Sequence, residues 1–117
     1  MKKYKFTLKE AYDFGWEGIK GKAYNNSSDF KDASVALFEV TGRHGKVKSL
    51  VSNRVYYVLE GEGEFIIDEK TIPVKPTDVI IIPKNTPYDY KAIKGTVLKL
   101  LLVHTPSWAP EKEVKLE

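Results

Sequence analysis

From Lys20 onward the chain breaks into short strand-forming segments, and the short connections between them constrain the fold more than any other feature. Turn-forming residues interrupt the sequence every 6 to 12 residues. A crossover between parallel strands needs about a dozen residues or more, so neighbouring strands are predicted to pair mostly antiparallel. This pattern is typical of a β-sandwich or barrel. The segments predicted as strands are KGKAYN, ASVALFEV, VKSLVS, VYYVLEG, GEFIID, KTIPV, DVIIIP, YDYKAI and TVLKLLLVH.

Composition excludes several classes of protein. The 117 residues contain no cysteine, which excludes a disulfide framework and thiolate chemistry. The net charge of +3 arises from 19 basic and 16 acidic residues that are interspersed, so no nucleic-acid binding is expected. The apolar runs are far too short to span a membrane, and MKKYKFTLKEAYDFGW is too charged for a signal peptide. A soluble cytoplasmic protein that does not bind membranes is therefore predicted.

The chain is expected to form one domain with three parts. Thr7 and Glu10 have the spacing of a helix capping box, and Gly15 can end the helix, which predicts a short N-terminal helix. This helix and a leading strand occupy residues 1–32, and residues 33–106 form the barrel. Residues 107–117 are proline-broken and charged, so they are expected to run over the surface or onto a partner subunit.

Two segments resemble the two sequence motifs of the cupin family. YVLEGEG, residues 57–63, resembles the end of the first motif, and DVIIIPKNTP, residues 78–87, resembles the second. The resemblance covers residues 33–106. It implies an all-β fold, a double-stranded β-helix or jelly-roll barrel, with the ligand or metal site in the barrel mouth. Gly61 and Gly63 are expected at a sharp turn, where glycine reaches positive φ without steric cost.

The metal ligands of such cupins are missing from this sequence. Metal-binding cupins that it resembles use two histidines and a glutamate of the first motif and a histidine of the second. The glutamate position falls on Arg54, the last histidine on Tyr88, and the other two on Lys48 and on Leu50 or Ser49. None of these side chains suits iron, manganese or zinc. We therefore predict no bound metal and no cofactor.

Strand alternation predicts which side chains face the barrel interior. If Arg54 is inward, Tyr56 and Val58 are inward as well. Tyr88 and Tyr90 share an inward face, which leaves Asp89 and Lys91 in solvent. Along the last strand, Leu98, Leu100, Leu102 and His104 point inward. The predicted ligand-binding residues are Lys48, Arg54, Tyr56, Tyr88, Tyr90 and His104.

The predicted pocket needs a counter-charge, because a buried arginine is costly to leave unpaired. Arg54 could pair with Glu60 or Glu64, with open water, or with an anionic ligand. The leading hypothesis is a metal-independent cupin that binds a small anionic or polar metabolite. His44, in the loop GRHG, is expected to be a solvated loop residue.

Two further functions stay open. The chain could be a metal-free isomerase, epimerase or lyase acting on a sugar or keto acid, with Tyr88 and His104 as candidate catalytic acid and base. It could also be a structural module. A homodimer is expected in any case, with Tyr57 and Leu59, or Trp16 and Trp108, as apolar anchors.

Overall fold

Residues 3–117, the part of the chain that the computed structural model describes, form strands and two short 3-10 helices. The 3-10 helices are η1 (Leu8–Glu10) and η2 (Pro110–Lys112). The strands are β1 (Tyr12–Trp16), β2 (Ile19–Ala23), β3 (Ser34–Val40), β4 (Val47–Ser49), β5 (Asn53–Glu60), β6 (Gly63–Ile67), β7 (Lys70–Val74), β8 (Val79–Ile82), β9 (Tyr88–Ala92), β10 (Leu98–Thr105) and β11 (Glu113–Lys115).

The strands form two sheets, as a jelly-roll barrel requires. One sheet has the order β1-β2-β3-β10-β5-β8, and the other has the order β11-β4-β9-β6-β7. Every strand pair is antiparallel. All segments predicted as strands correspond to β2 through β10, so the all-β jelly-roll prediction is confirmed. The structure adds β1 and β11, one at the outer edge of each sheet.

The predicted N-terminal helix is wrong beyond a single turn. Thr7 donates a hydrogen bond to the Glu10 carboxylate at 2.8 Å, yet the helical segment ends there. The following residues form β1, whose Phe14 and Trp16 rings pack against Phe38 with centroids 5.3 and 6.5 Å away. These contacts with β3 and the ladder to β2 outweigh the local helical signal.

Alternation places the core largely as predicted. Arg54, Tyr56 and Val58 are 3%, 0% and 0% exposed, whereas Leu59 is 39% exposed. The inward residues of β10 are buried as well, namely Leu98, Leu100, Leu102 and His104. Large side chains therefore fill the space between the sheets. The largest of those that are fully buried are Tyr56, Tyr88, Tyr90 and Phe65.

Asp89 does not face solvent as predicted. It is 4% exposed, forms an ion pair with Arg43, and accepts a hydrogen bond from the Gly45 backbone N–H at 2.8 Å. The loop between β3 and β4 folds over β9 and supplies both partners. Alternation within β9 carried no information about this loop, which is distant in sequence.

The turn between β5 and β6 needs glycine for two different reasons. Gly61 has φ +78°, and an added Cβ would lie 2.0 Å from the Val97 carbonyl oxygen. Gly63 does not have the positive φ that was predicted for it; its φ is that of an ordinary strand residue. It is required because an added Cβ would lie 2.5 Å from the Lys91 carbonyl oxygen.

The substitution Gly61→Ala is expected to lower the free energy of unfolding by about 2–3 kcal/mol, through left-handed strain and the backbone clash. Gly95→Ala is the matched control, since Gly95 has φ +87° with nothing within 4 Å of an added Cβ. It should lose only about 1 kcal/mol. Urea unfolding of both variants checks this, and equal losses would refute the role of the Val97 contact.

The C-terminal segment completes the second sheet. β11 pairs with β4, and the Leu116 N–H donates to the Lys46 carbonyl at 2.9 Å. Glu117 also forms an ion pair with Arg43 at 2.5 Å. Within residues 3–117, no helix has the length and apolar character needed to cross a membrane.

Candidate functional site

A cavity of about 420 Å³ opens between the sheets, on the side where β1 and the C-terminal segment approach each other. Cavities of this size hold small molecules of metabolite dimensions. Aromatic rings from β1 and the C-terminal segment line its entrance, whereas polar groups lie deeper. The residues that matter for its chemistry are Trp16, His44, Arg54, Tyr56, His104 and Glu113.

Arg54 of β5 is held on the cavity wall by two partners from the opposite sheet. Its Nη1 donates to Glu113 Oε1 at 2.5 Å and to the Tyr88 hydroxyl. The partner is thus Glu113 of β11 and neither Glu60 nor Glu64; Glu64 instead pairs with Lys91 at 3.6 Å. Arg54 Nε is buried without a hydrogen-bond partner in the described part of the chain, which leaves one donor uncommitted.

The hydroxyls of two tyrosines extend this network toward the cavity. The Tyr56 and Tyr88 oxygens lie 3.1 Å apart. Arginine cannot accept a hydrogen bond, so Tyr88 accepts from Arg54 and its own proton is available to Tyr56. Either hydroxyl can be the donor of this pair, and where Tyr88 donates, the Tyr56 proton is left for a ligand. Burial raises the pKa of the Tyr56 hydroxyl well above its ordinary value, so this group stays a hydrogen-bond donor.

His44 forms part of the cavity wall, so the prediction that it is a solvated loop residue is wrong. Its ring stacks on Tyr90 with a centroid distance of 4.6 Å and meets the edge of Trp16 at 5.3 Å. Trp16 Nε1 also donates to the His44 carbonyl at 3.1 Å. Rings from β1 and β9 therefore hold this loop side chain in one orientation.

The tautomer of His44 follows from its hydrogen bond. Nδ1 lies 2.8 Å from the Gly45 carbonyl oxygen, which can only accept, so Nδ1 carries the proton and Nε2 has a free lone pair. Burial lowers the pKa of His44, an effect that the Gly45 carbonyl partly opposes. The imidazole is therefore neutral at neutral pH. A neutral histidine with its other nitrogen fixed by an acceptor is suited to act as a general base.

His104 faces the same cavity as a neutral group. It is 6% exposed, and its Nδ1 lies 3.5 Å from the Ser34 hydroxyl oxygen. The pKa of His104 is well below its ordinary value because of burial, and then because of the positive charge of Arg54. Ser34 in turn accepts the Trp108 backbone N–H at 2.9 Å. His104 thereby connects β10 to the segment that carries Trp108.

The structure brings together three of the predicted site residues on the cavity wall, Arg54, Tyr56 and His104. Tyr88 and Tyr90 are fully buried behind the wall, where they support Arg54 and His44. Lys48 lies elsewhere. Val47 and Ser49 are the buried residues of β4, so Lys48 points to the opposite face and lies outside the cavity lining.

The donor set at the family's metal position does not fit a divalent cation. Arg54 stands in the sequence where metal-binding cupins have their glutamate ligand, and its carboxylate neighbour Glu113 is already paired with it. Over residues 3–117, no group of three His, Cys, Asp or Glu side chains lies close enough to hold a metal ion. No chemical step through a metal is therefore derived for this site.

Sequence reasoning missed His44, Glu113 and the two tryptophans as cavity residues. All reach the cavity through contacts that are distant in sequence. A weak signal existed for Glu113, since EVK is a short alternating segment after a proline. Trp16 and Trp108, which were also proposed as dimer anchors, line the cavity entrance. The homodimer itself stays a prediction.

Comparison with known proteins finds similarity to cupins. The sequence model of the cupin domain family matches residues 51–104. An uncharacterized protein of Methanocaldococcus jannaschii is 36% identical over 70 residues, which cover 60% of this chain and 56% of that protein. The chain thus matches just over half the length of this curated relative.

Solved structures extend the similarity to nearly the whole chain. Pac13 of Streptomyces, described as a nucleoside dehydratase, is 26% identical with a TM-score of 0.87, covering 99% of this chain and 92% of Pac13. Pac13 variants with a histidine-to-glutamine or a tyrosine-to-phenylalanine replacement were solved with uridine. KdgF of Halomonas, at 16% identity, covers 94% of this chain and 99% of KdgF with a TM-score of 0.79, and shares the fold.

Proposed function

We propose that this chain, which belongs to the cupin family, removes water from a nucleoside-class small molecule by acid–base catalysis in the cavity. The observation that carries the proposal is His44. Its Nδ1–H is fixed on the Gly45 carbonyl at 2.8 Å, which leaves Nε2 unprotonated, and His44 and Tyr56 both line the cavity. The similarity to Pac13, a nucleoside dehydratase, supports this reaction class.

The proposed reaction is an elimination that balances without any co-reactant. His44 Nε2 takes a proton from a carbon next to a carbonyl group, and the electron pair of that C–H bond forms a C=C bond. The hydroxyl group on the neighbouring carbon leaves and takes up a proton, which gives water. The imidazolium returns its proton in that step, so the enzyme ends in its starting state.

Tyr56 is proposed to stabilise the negative charge that develops on the carbonyl oxygen during this reaction. Its hydroxyl, 3.1 Å from that of Tyr88, can donate to the ligand while Arg54 polarises Tyr88 from behind. Donors that are already in position contribute most when charge develops in a site shielded from water. His44, the proposed base, and Tyr56, the proposed donor, line the same cavity.

A direct test combines binding and turnover. Uridine is expected to raise the melting temperature, because a ligand that binds only the folded state stabilises it by about 2.7 kcal/mol at 100 times its Kd. A nucleoside with a sugar carbonyl, and a hydroxyl group β to it, should lose one water, seen by mass spectrometry. Uridine that stabilises without any turnover would favour the metal-independent binding function. If uridine does not raise the melting temperature and no water is lost from the second nucleoside, both functions are refuted for nucleosides.

A further inference from the structure

The cavity's charge is balanced within the protein before any ligand enters. Of the described residues that line it, Arg54 and Glu113 are the two with formal charge at neutral pH, and they are paired at 2.5 Å. His44 and His104 are neutral because burial lowers the pKa of each. The cavity lining is mostly apolar, and its one ion pair leaves it with no net charge.

Glu113 is fixed in this position by the C-terminal strand. In β11 it lies opposite Ser49 of β4, and the Leu116 N–H bond to Lys46 and the Glu117–Arg43 ion pair secure the strand beyond it. The Glu113 side chain is 20% exposed, while that of Arg54 is 3% exposed. The carboxylate is thus the more accessible member of the pair, and a ligand approaching Arg54 meets it.

An anionic ligand and a neutral ligand face different energetics at this wall. A phosphate would have to displace a carboxylate that already holds Arg54, or lie beside a like charge in a partly desolvated site. A neutral ligand faces no such repulsion. Its carbonyl or hydroxyl oxygen can accept a hydrogen bond from Tyr56, which lines the cavity.

We infer that Glu113 is a specificity-determining residue that restricts the cavity to uncharged nucleosides and rejects their phosphorylated forms. This inference rests on the proposed function, and of the anionic or polar ligands expected from the sequence it keeps only the neutral polar ones. The side chain that decides between the two comes from the C-terminal strand, outside the matched cupin segment of residues 51–104.

The test is calorimetric titration of uridine and of uridine 5′-monophosphate into the wild type, Glu113→Gln and Glu117→Gln. The wild type should bind uridine about tenfold or more tightly than the nucleotide, because like charges are unfavourable at an interface. Glu113→Gln keeps an acceptor for Arg54 Nη1 but removes the negative charge. Its affinity for the nucleotide should rise about tenfold, with little change for uridine. Glu117→Gln removes a negative charge just after β11 and outside the cavity lining, and it keeps an acceptor for Arg43, so β11 should stay in place and both affinities should match the wild type.

The outcomes separate the inference from the proposed function. If uridine and its monophosphate bind the wild type equally well, Glu113 has no selective role, although the nucleoside site stands. The same holds if Glu113→Gln binds both as the wild type does. If uridine fails to bind the wild type, the proposed function falls and the inference falls with it. Even if Glu113→Gln does not fold, equal binding of the two ligands by the wild type overturns the inference.

Discussion

His44→Gln is expected to lower kcat for water loss by about 10²–10⁴-fold, the usual contribution of a positioned general base. Glutamine can occupy similar space, but it has no lone pair basic enough to take a proton from carbon. The loss of the stacking on Tyr90 and of the edge contact with Trp16 should cost about 1 kcal/mol of stability, so the variant should still fold. Steady-state kinetics on the sugar-carbonyl nucleoside and urea unfolding measure the two effects.

Lys48→Gln is the matched control for His44→Gln. Lys48 was a predicted site residue, but the structure places it outside the cavity lining, so its replacement should leave kcat unchanged. A large loss in Lys48→Gln, or none in His44→Gln, would contradict the assignment of the base.

The pH dependence of kcat/KM should report the titration of His44. Burial lowers the pKa of His44 from its ordinary 6.5, so the neutral, active form persists to pH values below 6.5. The midpoint of the acidic limb of the profile is therefore expected below pH 6.5. A midpoint above pH 6.5 would mean that the base is exposed or is a different group.

Arg54→Met is expected to lower the free energy of unfolding by about 3–5 kcal/mol, the range for breaking one side of a buried ion pair. Arg54 is 3% exposed, and its loss leaves the Glu113 carboxylate and the Tyr88 hydroxyl without their donor. Methionine keeps much of the apolar volume, so the effect reports mainly the unpaired polar groups. Urea unfolding with a constant m-value provides the measurement.

Two companion variants make this prediction specific. Lys91→Met removes an exposed cation that lies 3.6 Å from Glu64, and it should cost about 0.5 kcal/mol or less. Combining Arg54→Met with Glu113→Gln removes both charges and should recover part of the loss. If Arg54→Met were as mild as Lys91→Met, the pair on the cavity wall would not be the stabilising contact described here.

The sequence predicted the barrel and the parts of the site that lie on regular strands. Period-2 alternation along β5 and β10 correctly turned Arg54, Tyr56 and His104 inward, because one face of each strand must be buried. It also gave the right face for Tyr88 and Tyr90. It could not show that these two tyrosines lie behind the cavity wall.

The remaining errors share one physical cause. His44, Asp89 and Glu113 acquire their roles from segments far away in sequence, and local patterns carry no signal for such contacts. The loop of His44 is ordered by rings from β1 and β9, and Glu113 reaches Arg54 across 59 residues. A helix predicted at the N-terminus became a strand for the same reason, since Phe38 offers its aromatic residues a better surface.

The most direct test of the proposed site is the protonation state of its histidines, measured by ¹⁵N NMR at neutral pH with and without uridine. The chain has two histidines, His44 and His104, so the spectrum is simple to assign with one variant. We expect His44 to be neutral with its proton on Nδ1, and its Nε2 resonance to shift when uridine is added. A charged imidazole, a proton on Nε2, or no response to uridine would contradict the account of His44 as the base of a nucleoside site.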